Sequence, residues 1–109
     1  MAACLAAPLK AATPLTADQQ VLAMLIDSAM FAASKCPGFH IVAGSIRANA
    51  DGAGVTPDQA MGEEWKTAMA LADVYAEEGY KKDPTGWCFR MWKMAGQNLK
   101  SPILSKSGN

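Results

Sequence analysis

From Gln20 onward, the first long apolar stretch of the chain is broken by polar residues at intervals of seven: Gln20, Asp27 and Ser34, with Ser28 and Lys35 beside them. Between them lie Val21, Leu22, Met24, Leu25, Ile26, Ala29, Met30, Phe31 and Ala33. One narrow polar stripe on an otherwise apolar cylinder predicts a helix packed on most of its sides. Thr16 suits the N-cap, and Asp18 puts a carboxylate in the first turn, where the helix dipole favours one. This helix, 17–34, is expected to be the central element. Cys36-Pro37-Gly38 ends it, because Pro37 disfavours helical backbone at Cys36 and Gly38 permits a turn.

Phe39, Ile41, Val42 and Ile46 form a short apolar segment with poor alternation. A lone strand would have no partner, so the segment is read as a short helix, 41–50. Asp51-Gly52-Ala53-Gly54 interrupts the chain. Thr56-Pro57-Asp58-Gln59 is a helix start with a capping threonine, proline at the first helical position and a capping-box glutamine. Met61, Trp65, Ala68, Met69, Ala72, Tyr75 and Ala76 follow at helical spacing, predicting a helix over 57–78 that Gly79 ends. Asp83-Pro84-Thr85-Gly86 opens a last helix, 84–95, with Cys88, Met91, Trp92 and Ala95 on one face and Gly96 at its end. The expected architecture is all-α: a compact bundle of four unequal helices in one domain, 16–96. It is preceded by a leader, 1–15, and followed by a flexible tail, 97–109, with an anchor at Ile103-Leu104.

Composition narrows the function. Half of the 109 residues are hydrophobic, enough for a core, and ten basic side chains balance ten acidic ones. A neutral chain has no electrostatic reason to seek nucleic acid or an anionic membrane. Lys81, Lys82, Lys93, Lys100 and Lys106 stand among acids and small polar residues and read as solvated surface. No run of 18 apolar residues occurs, so no membrane span is expected.

The opening stretch MAACLAAPLKAATPL is Ala- and Leu-rich and resembles the end of a secretory signal, with candidate cut sites around Ala7 and Ala12. It lacks a charged start, and its apolar run before Pro8 is short, so a cytosolic leader is the alternative. Met1-Ala2-Ala3-Cys4 is close to a bacterial lipobox, in which Cys4 would carry lipid; otherwise Cys4 is a small residue in a discarded leader. With the leader removed, Cys36 and Cys88 remain, and an even pair in a small exported domain is normally a disulfide. The loop closed would be about 50 residues long, worth about 4 kcal/mol in the chain-entropy view. Two free thiols in a cytosolic protein are the alternative. No CxxC occurs, which excludes a thioredoxin-type centre or zinc ribbon.

No constellation predicts catalysis, a metal or a cofactor. His40 is the single histidine and has no triad partners at a readable spacing. Glu63, Glu64, Asp73, Glu77 and Glu78 on one helix read as solvated charges, with Lys66 for local pairing. Asn49-Ala50-Asp51-Gly52 begins like a calcium loop but continues without the required acids, and Gly52-Ala53-Gly54 lacks the spacing for dinucleotides. Trp87, Phe89, Met91, Trp92 and Met94 put apolar mass on nearly every side of a short helix. Either that helix is deeply enclosed, or Phe89 and Met94 form an exposed patch that meets a protein partner or a second copy.

A helix ending in Cys36-Pro37-Gly38, the Gly54-Val55-Thr56-Pro57 helix start and Trp87-Cys88-Phe89 in the last helix resemble the layout of small exported two-cysteine proteins of alphaproteobacteria. The resemblance covers roughly residues 17–96. A looser, architectural likeness is to periplasmic acid-stress chaperones of the HdeA type, and it carries no functional residue over. The expected function is a non-catalytic periplasmic or secreted binding or structural protein. The alternatives are an acid-responsive chaperone, in which the acids listed above lose charge, and a cytosolic interaction protein.

Overall fold

The computed structural model of the protein describes residues 13–107, so Cys4, Ala7 and Ala12 lie outside the described residues. In chain order the elements are α1 (Ala17–Lys35), β1 (Phe39–Ile41), α2 (Ala43–Gly52), α3 (Pro57–Ala60), α4 (Glu63–Lys82) and α5 (Pro84–Met91). A π-helical segment (Trp92–Gln97) and β2 (Leu104–Lys106) follow. The chain is mostly helical, as its periodicity predicts, with one small antiparallel ribbon added.

The two long helices, α1 and α4, form the main contact of the fold. They run parallel: Leu15 N–H donates to Glu64 Oε1 (3.1 Å) at one end, and Tyr80 Oη donates to the Lys35 carbonyl (3.5 Å) at the other. Ala23, Ala29 and Ala32 of α1 and Ala68, Ala72 and Ala76 of α4 are all buried. Alanine presents only Cβ, so the backbones approach closely, while Leu22, Ile26 and Trp65 fill the adjoining core.

Both capping boxes form, and their glutamines find each other. Gln19 N–H donates to Thr16 Oγ1 (3.1 Å) and Thr16 N–H to Gln19 Oε1 (3.0 Å); Thr56 and Gln59 do the same at 3.2 and 2.9 Å. Gln19 Nε2 then donates to Gln59 Oε1 (3.3 Å) and to the Ala53 carbonyl (3.0 Å). Gln59 Nε2 donates to Gln19 Oε1 (3.0 Å) and to the Pro14 carbonyl (3.3 Å). Each amide oxygen accepts twice and each amide nitrogen donates at least twice, so these two buried polar side chains are satisfied in full. The pair joins the starts of α1 and α3 and ties down Pro14, at the end of the stretch read as a leader.

The far end of the helix pair is closed covalently. Cys36 and Cys88 are disulfide-bonded, with Cα atoms 5.8 Å apart. Cys36 caps α1 in extended backbone (φ −93°, ψ 124°), as a residue before proline must, and Gly38 follows at φ +79°. Phe31, Tyr80 and Trp87 pack edge to face at centroid distances of 5.4 to 6.0 Å beside the disulfide.

Several expectations need correction. The helix expected over 57–78 is two elements that part at Met61-Gly62. It does not end at Gly79, because α4 continues to Lys82; Gly79 instead makes room for Trp87, whose Cδ1 would lie 2.7 Å from a Cβ there. The helix expected over 84–95 becomes π-helical from Trp92. The helix expected over 41–50 is a strand followed by α2. The strand's partner comes from the segment read as a flexible tail: Phe39 pairs with Lys106, His40 with Ser105 and Ile41 with Leu104. Ile103 and Leu104 are the largest fully buried side chains among the described residues. Ile103 N–H donates to the Ala95 carbonyl (2.8 Å), and the Ile103 carbonyl accepts from Val42 N–H (2.8 Å). The ordered domain therefore extends past residue 96 to the ribbon. No described helix is long and apolar enough to cross a membrane.

Two outcomes follow. Reducing the Cys36–Cys88 bond, which spans 52 residues, lowers stability by about 4 kcal/mol. Urea unfolding with and without reductant measures this, and an unchanged midpoint contradicts it. Gln59→Ala costs about 1–3 kcal/mol by orphaning the Gln19 amide. The Gln19→Ala/Gln59→Ala double variant costs less than the sum of the singles, which a double-mutant cycle reads directly.

Candidate functional site

The five residues expected to form an apolar patch separate once the last helix is placed. Trp87 and Met91 are buried core residues. Trp92 is half-buried, 5.8 Å from the Phe39 ring centroid and with Lys106 Nζ 5.2 Å over its own ring. Phe89 and Met94 are 61% and 47% exposed. Lys93 Nζ stands 5.7 Å over the Phe89 ring. Met94 instead lines an open groove of about 500 Å³ with Asn98 and with Val21, Met24, Leu25 and Ser28 of α1. Those four α1 residues fall at i, i+3, i+4 and i+7, one helical stripe.

The sequence reading missed this groove because it enclosed α1 on most sides. Covering that side of α1 needs another helix, and α2, the nearest candidate by sequence, contributes no buried side chain. Val21 and Met30 therefore remain 63% and 48% exposed. On α4, Leu71, Val74 and Tyr75 are exposed too, beside the acids Asp73, Glu77 and Glu78.

The polar candidates are local. His40 is exposed on β1, with Nε2 2.5 Å from Ser107 Oγ. Lys66 pairs with Glu63 at 3.9 Å, both side chains well exposed, and this is the one ion pair among the described residues. Asn49 lies within α2, where Nδ2 donates to the carbonyls of Ser45 (2.7 Å) and Ser101 (2.8 Å), a tie between α2 and the returning C-terminal segment. Gly52-Ala53-Gly54 leads out of α2 as a turn.

One titratable group stands apart. Asp27, in the middle of α1, has its carboxyl pushed up to about 6 from 3.8, first by burial and then by the Asp73 carboxylate of α4. Its Oδ2 is buried without a hydrogen-bond partner. The signal in the sequence is Asp27 as the one acid past the first turn of the most apolar helix; nothing in the spacing links it to Asp73.

Comparison of the chain with protein-family models, with curated proteins and with solved structures gives no match.

The split of the last helix into core and surface residues has a measurable consequence. Met91→Ala costs about 2–5 kcal/mol, whereas Met94→Ala stays within about 1 kcal/mol. Thermal unfolding of both variants checks this, and equal losses contradict the placement.

Proposed function

We propose that the protein is a non-catalytic binding or structural protein exported to an oxidising compartment, the periplasm or the exterior of the cell. The observation that carries this reading is the disulfide that joins the end of α1 to the first turns of α5. Cytosolic thiol buffers keep such bonds reduced, and small exported domains use them to supplement a modest core. The partner is a protein or a second copy of the chain, met through apolar helix surface: Val21, Met24, Leu25 and Met94 along the groove, and Phe89 near it in sequence.

An acid-responsive chaperone is the second reading. The exposed mixture of apolar and acidic side chains on α4 favours it, since Leu71, Val74 and Tyr75 alternate with groups that lose charge at low pH. It requires that acid loosen the protein and release apolar surface to unfolding clients.

Intact mass of the protein recovered from fractions of its native host tests the first reading. The expected species lies in the periplasm or medium and is two hydrogens lighter than the dithiol. A dithiol species confined to the cytosol contradicts it and favours a cytosolic interaction protein.

A further inference from the structure

The interface between α1 and α4 is built from small apolar side chains, and an acid sits in its middle. Asp27, half-buried, lies one turn from Ala23 and next to Ile26, and Asp73, on the exposed side of α4, lies between Ala72 and Ala76; these apolar neighbours are all buried. The unpartnered Oδ2 of Asp27 has no N–H or cation to accept from. The parallel register fixed by the Leu15–Glu64 and Lys35–Tyr80 hydrogen bonds brings Asp73 of α4 opposite Asp27, and a hydrogen bond between two carboxyls requires a proton on one of them.

We propose that Asp27 and Asp73 form an acid-tightened latch across the α1–α4 interface, hydrogen-bonded when the pair holds one proton and repulsive when both carboxyls are ionised. The proton comes from solvent and returns to it, so no other reactant is needed. The latch sits between the two closures of the helix pair, the Gln19–Gln59 amides at one end and the Cys36–Cys88 bond at the other.

The other charged groups on the elements that pack against α1 leave the pair alone. On α4, Glu63 and Lys66 pair with each other, Glu64 accepts from Leu15 N–H, and Glu77 and Lys81 line a pocket with Lys35 at the opposite end of the interface. Glu78 and Lys82 complete the charges of α4. On β1, His40 is bonded to Ser107. On α2, Arg47 and Asp51 line a groove with Thr56 and Pro57. On α5, Arg90 is exposed. Asp73 is the one charged group that acts on Asp27.

The direction of the pH effect follows. The Asp27 carboxyl is raised in the folded protein from 3.8 to about 6, so folding favours its protonated form. Its contribution to stability is fully present below the unfolded value of 3.8 and is lost as pH rises through about 6. This is opposite in sign to the loosening that an acid-released chaperone needs. It also holds whichever compartment the protein occupies.

Urea unfolding of the oxidised full chain at several pH values between about 5 and 7.5 tests the latch. The folding constant of the wild type, relative to variants lacking the latch, is expected to rise on acidification across this range. The rise is at least about threefold and stays below about tenfold, the most that a displacement from 3.8 to about 6 gives between pH 7.5 and 5, because solvent reaches part of the pair. Asp27→Asn abolishes that rise. Asp73→Asn reduces it without removing it, since burial remains. A wild type with no rise, or an Asp27→Asn variant that keeps it, overturns the proposal. Should Asp27→Asn fail to fold, carboxyl ¹³C NMR of the wild type decides: Asp27 titrating above about pH 5 supports the latch, and below about pH 5 overturns it.

Discussion

The fold depends on where α1 stops. Pro37 forces Cys36 out of helical backbone, and the thiol at that fixed end is bonded to Cys88 near the start of α5. That bond holds Trp87 against Phe31, Tyr80 and the bare backbone at Gly79, and so sets the end of α4 beside the end of α1. With the Gln19–Gln59 amides fixing the other end, the two long helices lie parallel over their whole length. An alanine-rich interface suits such a pair, because close approach needs small side chains and the ends supply the register. The hydrophobic bulk of the core comes from larger side chains, Trp65, Ile26, Ile103 and Leu104 among them.

What the sequence made legible was local or strongly periodic. α1 and α4 show because the helical pattern runs for several turns, and the ends of α1 show because Thr16 and Pro37 punctuate them; the ends of α4 do not show, since Thr56 caps α3 and Gly79 lies inside α4. The cross-link shows because only two cysteines lie beyond residue 15. The ribbon was not legible. Each strand has three residues, too few to display alternation, and the partner of β1 lies in a segment whose Pro, Ser and Lys content reads as tail. The change to π-helix after Met91 accompanies a hydrogen bond from Ile103 N–H to the Ala95 carbonyl, a contact no local rule encodes. The Gln19–Gln59 pair did leave a trace, since Thr16-Ala17-Asp18-Gln19 and Thr56-Pro57-Asp58-Gln59 are the same capping motif written twice.

The candidate surfaces divide along the same line. Counting apolar residues on the last helix indicated that one neighbour could not cover them all, and named Phe89 and Met94 as the two left outside unless the helix was enclosed. Trp87 and Met91 went inward, Phe89 and Met94 outward. The groove beside Met94 and the carboxyl pair at Asp27 and Asp73 both arise from side chains brought together by tertiary packing. The covalent chemistry of Cys36 and Cys88 is the feature whose functional meaning depends least on an unidentified partner.

A tryptic map of the unreduced protein tests that chemistry most directly, because the three cysteines fall in separate peptides, Met1–Lys10, Cys36–Arg47 and Asp83–Arg90. The structure requires the second and third to run as one linked species that separates on reduction. Linkage of the Cys4 peptide to either of them, or alkylation of Cys36 and Cys88 without prior reduction, would contradict it.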